Sequence, residues 1–458
     1  MPDVLTHLYN ACAPLKPATS EQWVDTEAAR GGQSFAKRYL RDLKRGGPEA
    51  AARCETHLLT GYLGGGKSSE LRRLVEDLKK LDSPNLFPII VDTAEFINEQ
   101  DVDLLDLLLA IVAVVGKALK EDFGVSLEDT YLKSRFGELF RLLGTDVGVG
   151  DSELDVFGMA STKLKLLRTD ESARQKIRQA LKRHETGLPS AIRTVFTAAG
   201  QKLRELHKAD GFVVMVDGLE KVDRYAGSDG YGRAAHRALF VDRAAVLTDL
   251  GCRMIYTAPI SLVRSADGAI VHNRYTGSYV LPMIKVVGRD MKTPYDSGIE
   301  AMREMIRRRL PTGASLDDAI EPEALDYLIR FSGGSARDFI RFVQEACTHV
   351  DDPPITRKAA RKALSSTINI LAGGVSRMMW DLLADVQLAP GQSIEEHGDE
   401  TFRMLEGHYV LEYLNGVENE DDAVSDKPWY AVNPILREMP DLQAAIAKRR
   451  SASAPKTP

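Results

Sequence analysis

Gly61-Tyr62-Leu63-Gly64-Gly65-Gly66-Lys67-Ser68 satisfies the pattern G-x-x-x-x-G-K-[ST] at every position. Glycines let a backbone fold back so that successive N–H groups point at one anion. The segment 56–60 before the loop reads as a short buried strand. Residues 68–81 after it, rich in Leu, Arg, Glu and Lys, read as an amphipathic helix. A helix that starts there aims its positive end at the same anion. In this setting the spacing predicts a cradle for the phosphates of ATP. Gly61, Gly64, Gly65, Gly66, Lys67, Ser68 and Ser69 are the expected binding residues. Lys67 reaches the β- and γ-phosphates and the Ser68 hydroxyl ligates Mg²⁺. A chance glycine-rich turn is the alternative, and it would require neither the strand before nor the helix after.

Working outward, compact apolar runs at 86–91, 212–216 and 252–256, and one held within 279–287, read as strands, with helical patterns between them. That rhythm predicts an α/β fold with a parallel sheet covered by helices. Helices are expected at 33–45, 103–120, 129–143, 171–183 and 190–207, and throughout 294–364. Residues 144–150 read as a break and 153–167 as a weak hairpin. The apolar stretch 107–115 is about half the roughly 20 residues that a membrane span needs. A buried helix fits it better, and no membrane partner is expected.

The strand 213–216 ends in Asp217, and Gly218-Leu219-Glu220-Lys221 follows. In a phosphate-loop enzyme a strand-terminal Asp holds the hydrated Mg²⁺, which gives Asp217 to the metal. A carboxylate nearby orients and deprotonates an attacking water, which gives Glu220 to catalysis. An ordinary turn at Asp217 and an ion pair of Glu220 with Lys221 or Arg224 are the plainer readings. Thr257 ends the strand 252–256, where its hydroxyl either senses the γ-phosphate or caps the strand. Gly333-Gly334-Ser335-Ala336-Arg337-Asp338 reads as a helix start whose Arg337 either reaches a phosphate or lies on the surface. Trp23, Val24 and Asp25 either line an adenine pocket or pack a small core. An arginine finger would be Arg224, Arg233, Arg237, Arg243 or Arg274. His236, His272 and His408 lack metal-like spacing and read as non-ligands.

Composition sets the class. Over 458 residues the formal charge is -6, so bulk electrostatics give no reason to expect nucleic acid. Four scattered cysteines (Cys12, Cys54, Cys252, Cys347) fit reduced thiols better than a disulfide framework or a zinc site. The first 20 residues lack the apolar core of a signal peptide. Together these predict a cytoplasmic protein.

The matched phosphate loop, the D-G-L-E-K strand end, Thr257 and the G-G-S-A-R helix start resemble the STAND and origin-recognition branch of the AAA+ ATPases. The acidic motif is similar to the D-G-hydrophobic-D-E pattern of NACHT proteins, with Lys221 where a third acid would sit. In finer detail the chain resembles bacterial ATP-binding proteins with a G-x-x-G-x-G-K-S-[ST]-E-L loop and a D-x-L-E-K strand. The resemblance covers about residues 10–370. It implies an ATPase core, a helical lid, a winged-helix-like module, nucleotide-driven conformational change and homo-oligomerisation. It also implies a protein partner or effector, with service in bacterial antiphage defence or signalling. Gly218 follows Asp217 where standard AAA+ enzymes carry an adjacent acid, which fits slow turnover and a switch.

The expected layout is an N-terminal helical segment (1–50), a phosphate-loop core (51–290) with a helical insertion (about 95–210), a helical lid (291–370), a winged-helix-like domain (371–445) and a disordered tail (446–458). The expected wing, 417–427, carries Glu418, Glu420, Asp421, Asp422 and Asp426 against one lysine. The region before it has Glu395, Glu396, Asp399, Glu400 and Glu406 against Arg403. Like charges repel a phosphate backbone, so nucleic acid is the less expected partner. Three functions stay open: an ATP-hydrolysing switch, a DNA-acting ATPase resembling initiators or transposition regulators, and a non-hydrolysing ATP-binding adaptor.

Overall fold

A computed structural model describes residues 4–32, 34–127, 132, 134, 164–165, 168–182, 187–222, 235–389, 399–415 and 428–453. Along the chain come α1 (Val4–Ala11), α2 (Phe35–Ala51, kinked at Gly47), β1 (Thr56–Gly61), α3 (Lys67–Lys79) and β2 (Leu86–Asp92). Then follow α4 (Leu104–Phe123), α5 (Glu171–Leu181), α6 (Gly187–Glu205), β3 (Gly211–Asp217), β4 (Arg253–Pro259) and β5 (Gly277–Leu281). Next are α7 (Asp296–Arg307), α8 (Pro322–Ser332), α9 (Ala336–Cys347), α10 (Arg357–Gly373) and α11 (Arg377–Leu388). The chain closes with α12 (Asp399–Glu406), β6 (Val410–Tyr413), β7 (Trp429–Val432) and α13 (Pro440–Ser453). Short helical turns connect several of these elements.

Two compact units divide the chain, one of Phe35–Thr60 and Glu70–Val280, the other of Met1–Ser34, Gly61–Ser69 and Leu281–Pro458. The first is a sheet unit. Its five strands run in the order β2-β3-β4-β1-β5. Register is parallel from Leu86↔Gly211 to Asp92↔Asp217, and from Val213↔Arg253 to Val216↔Tyr256. All seven residues of β3 and all seven of β4 are buried, as strands covered on both faces must be. The expected α/β fold with a parallel sheet is therefore the observed one.

The stretch 107–115 lies inside α4, a buried helix, as its length suggested. Asp103 caps its start by accepting from the Leu105 N–H, and Gly124, at φ 68°, ends it in the left-handed region that glycine tolerates. Among the described residues no helix is long and apolar enough to cross a membrane. Charge fixes the inserted helix α5 in place: Arg174 reaches Asp101 at 3.2 Å, and Arg178 grips both Asp101 at 2.5 Å and Asp106.

The second unit is mainly helical, around a core that includes Leu8, Ile284, Met302, Leu328, Phe339, Val343 and Leu364. The range 279–287 was expected to hold a strand, and β5 reaches into it as far as Leu281. Beyond it each N–H finds a separate acceptor: Met283 donates to Glu412 O (3.0 Å), Ile284 to Gly334 O (3.3 Å) and Lys285 to Ala29 O (2.9 Å). The burial was legible, but the ladder partner was not. The tail expected to be disordered from 446 is instead helical to Ser453. Leu442, Ala445 and Ile446 are buried, and Lys448 and Arg449 pair with Asp381 (3.4 Å) and Asp385 (2.8 Å) of α11. Near the C terminus β6 runs antiparallel to β7, from Val410↔Val432 to Tyr413↔Trp429. Residues 144–150 and 417–427 lie outside the described residues, as do most of 129–143 and 153–167.

Candidate functional site

The loop after β1 has the backbone its glycines imply. Gly61, Gly64 and Gly66 sit at φ 152°, 76° and 105°, where other residues are strained. At Gly61 a Cβ would also stand 2.8 Å from the Leu281 carbonyl. Lys67 opens α3 and is only 2 % exposed. Its Nζ donates to the carbonyls of Gly61 (3.0 Å) and Tyr62 (2.8 Å), so the loop's own oxygens hold the ammonium in place. Ser68 and Ser69 follow on the first turn of α3, both half-buried.

An N-terminal segment braces this loop, and sequence reasoning missed it. Arg30, 4 % exposed, donates from Nη2 to Gly65 O at 2.7 Å, from Nε to Thr26 Oγ1 at 2.8 Å, and from Nη1 to Pro282 O. One guanidinium thus joins three segments far apart in sequence. The Ala18 N–H donates to Ser69 Oγ at 3.2 Å, which gives that hydroxyl a protein partner. Trp23 is half-buried and its carbonyl accepts from Arg308.

The same unit brings Arg337 to the loop. Gly333 ends α8 at φ 57°, and Gly334, at φ 80°, leaves no room for a side chain, since a Cβ would meet Ile284 O at 1.7 Å. Ser335 then caps α9 by accepting from the Asp338 N–H. Two residues into that start the Arg337 N–H donates to Gly64 O at 3.2 Å. The expected helix start is thus observed, with its arginine beside the phosphate loop.

The C-terminal hairpin meets the same residues. Tyr62 donates its hydroxyl to Val410 O at 3.0 Å, and Tyr413 donates to Gly333 O at 2.7 Å. His408, read as a non-ligand, lies edge-on to the Tyr62 ring at 5.4 Å with Nδ1 3.6 Å from the Asp338 carboxylate. Burial pushes the Asp338 carboxyl up, but contacts with His408 and Ser335 and the Arg341 charge leave it below its ordinary value.

The sheet unit holds Asp217, Glu220 and Thr257. Asp217 closes β3 at 9 % exposure, and Glu220, at 7 %, lies in the helical turn Leu219–Lys221. Gly218 between them sits at φ 101°, with room for no Cβ because Thr93 Oγ1 would be 2.5 Å away. Two hydroxyls fix this turn. Thr257 Oγ1 accepts from the Gly218 N–H at 2.8 Å, and Thr93 Oγ1 donates to Asp217 O at 2.8 Å. β4, which carries Thr257, lies between β1 and β3 in the sheet. Thr93 was not singled out from the sequence, although it follows Asp92 at the end of β2.

Of the finger candidates, Arg237 pairs with Asp267, Arg243 precedes a short helix, and Arg274 is exposed. Arg224 and Arg233 lie outside the described residues. Cys12, Cys252 and Cys347 are buried free thiols and Cys54 is an exposed one. Among the described residues no cluster of three or more His, Cys, Asp or Glu could hold a metal. Mg²⁺ asks for less, since it keeps water and phosphate oxygens and takes only one or two protein oxygens.

No protein-family model matches the chain, and no curated protein matches it. Among solved structures it is similar to the Aeropyrum pernix ORC2 protein in its ADP form, at 12 % identity and TM-score 0.41 over 97 % of this chain and 98 % of that one. It is also similar to the Aeropyrum pernix ORC1 protein in complex with DNA, at 12 % identity and TM-score 0.36 over 94 % and 98 %. The Thermotoga maritima RuvB Holliday junction branch migration motor is similar at 12 % identity and TM-score 0.35 over 94 % and 92 %. Each is a likeness of chain path alone.

Proposed function

We propose that this chain is a Mg²⁺-dependent, slowly hydrolysing ATPase that uses nucleotide state to switch a protein partner. The observation that carries the reading is the phosphate loop itself. A complete motif lies between strand and helix, with left-handed glycines, a buried lysine and an arginine helix start bonded to it. The loop N–H groups and the positive end of α3 would bind the phosphates. Lys67 would exchange the carbonyls of Gly61 and Tyr62 for phosphate oxygens, and Arg337 would meet the same charge.

Ser68 and Asp217 would hold Mg²⁺, which neutralises charge on the phosphates when bound. Glu220 would orient the attacking water and take its proton. Thr257 and Thr93 keep the acidic turn in shape. Glu220 stands three residues beyond Asp217, with Gly218 in the adjacent position, and this supports slow turnover. The partner, self-association and a role in bacterial defence or signalling rest on the resemblance given above.

Thermal denaturation with and without MgATP tests the binding step. A ligand that binds only the folded state at 100 times its Kd stabilises it by about 2.7 kcal/mol. Wild type should therefore melt several degrees higher with MgATP, and Lys67→Ala should not. Equal melting of wild type with and without MgATP would remove the proposal.

A further inference from the structure

The sheet unit contains a polar cavity of about 380 Å³ that the phosphate loop does not use. It opens at the amino ends of three strands, between Glu55 and His57 of the β1 entry, Arg253 at the start of β4, and Gly277 at the start of β5. The phosphate loop instead follows the carboxyl end of β1. From His57 to Gly61 that strand spans about 13 Å. Ligands of open α/β sheets ordinarily sit at the carboxyl ends, so a lined cavity at the amino ends is a separate feature.

Its floor is charged and buried. Arg253 donates from Nε to Ala50 O at 2.8 Å, and its Nη1 lies 2.9 Å from the Glu55 carboxylate. Glu55 is therefore neutralised from within the wall. His57 is 6 % exposed; its Nε2 lies 3.7 Å from Glu55, and its Nδ1 has no hydrogen-bond partner among the described residues. A buried ring nitrogen left unsatisfied is unfavourable and gains from a hydrogen-bond partner. Gly277 lies close against that nitrogen, since a Cβ there would stand 2.8 Å from Nδ1.

The rim adds cations that are held loosely. Arg38 rests 4.8 Å over the Tyr279 ring, and Arg53, 58 % exposed, reaches Glu55 only at 3.9 Å. Against three guanidiniums the lining has two carboxylates, Asp42 and Glu55, and two imidazoles, His57 and His272. Guanidinium forks match phosphate oxygens, and the volume is at the small end of the range for ligand sites.

We propose that this cavity is a second ligand site, which takes a small phosphate-bearing molecule between Arg38, Arg53 and His57. The guanidiniums of Arg38 and Arg53 swing onto the phosphate, and the His57 ring nitrogen gains the partner it lacks. The site stands independently of the reading of the phosphate loop.

Titration calorimetry with inorganic pyrophosphate tests it, in the Lys67→Ala protein so that the phosphate loop is disabled. One saturable site is expected. Arg38→Ala with Arg53→Ala should weaken it roughly tenfold or more, and both positions are exposed enough for the fold to survive. Ser278→Glu, which puts a carboxylate in the lining, should weaken it comparably, and citrate should bind more weakly than pyrophosphate. Absence of saturable binding, or unchanged affinity in both rim variants, would overturn the site. Citrate binding as tightly as pyrophosphate would overturn the assignment to phosphate.

Discussion

The backbone N–H of Arg337 donates to the carbonyl of Gly64 at 3.2 Å, and a Cβ on Gly64 would stand 2.4 Å from the Cβ of Arg337. The phosphate loop and the start of α9 thus touch backbone to backbone, and glycine at 64 is what permits the approach. The N–H survives side-chain truncation, so Arg337→Ala keeps this backbone contact while removing the guanidinium. ATP affinity should fall roughly tenfold, the loss of one charge-assisted contact. Arg337→Lys should recover part of it, because an ammonium lacks the guanidinium fork. Fluorescent-nucleotide titration reads both effects, and wild-type affinity in Arg337→Ala would remove this residue from the site.

Thr257 gives a second prediction. Its Oγ1 accepts the Gly218 N–H at 2.8 Å, directly beside Asp217. Thr257→Val keeps the shape and strands a buried N–H, at a cost of about 1–3 kcal/mol. Chemical denaturation should show that loss. Turnover should fall further than nucleotide affinity, since the turn holding Asp217 and Glu220 loses its support.

Reading the sequence went furthest where a residue's task is local. The loop from Gly61 to Ser68 could be read because each glycine, the lysine and the serine have tasks set by immediate neighbours. Gly333 to Arg337 was legible for the same reason: left-handed glycines, a serine cap and an arginine on the first turn. Arg30 was not legible, because its partners are Gly65 and Pro282 and nothing in the polar stretch around it has a period. Thr93 was missed because its task depends on the register that sets β2 beside β3. The run 282–287 showed its burial but not its partners. At the C terminus the spacing of Leu442, Ala445 and Ile446 fits one helical face, yet the polar end of the chain outweighed it.

Acid stability should report on Asp338. Contacts with His408 and Ser335 and the Arg341 charge hold its folded carboxyl below the ordinary value despite burial. A lowered folded value means stability that is present above the unfolded carboxylate range and lost as pH falls through the folded value. Wild type should therefore lose more stability than Asp338→Asn as pH drops from about 5 to about 3, by urea midpoints. Parallel loss in the two proteins would deny the carboxylate this part.

Duplex DNA should bind weakly or not at all. Lys448 and Arg449 are paired with Asp381 and Asp385, and Glu412 is buried against the Tyr430 hydroxyl at 2.9 Å. A mobility-shift series across salt should show no steep salt dependence. Tight, salt-sensitive binding would favour a DNA-acting ATPase instead.

Phosphate release from ATP by wild type and Glu220→Gln, with nucleotide binding measured in both, tests the central claim most directly. The account predicts slow release by wild type and a fall on the order of 10²–10⁴-fold in Glu220→Gln, with binding kept. Release by Glu220→Gln at the wild-type rate would contradict the catalytic assignment, and binding without release in either protein would contradict hydrolysis itself.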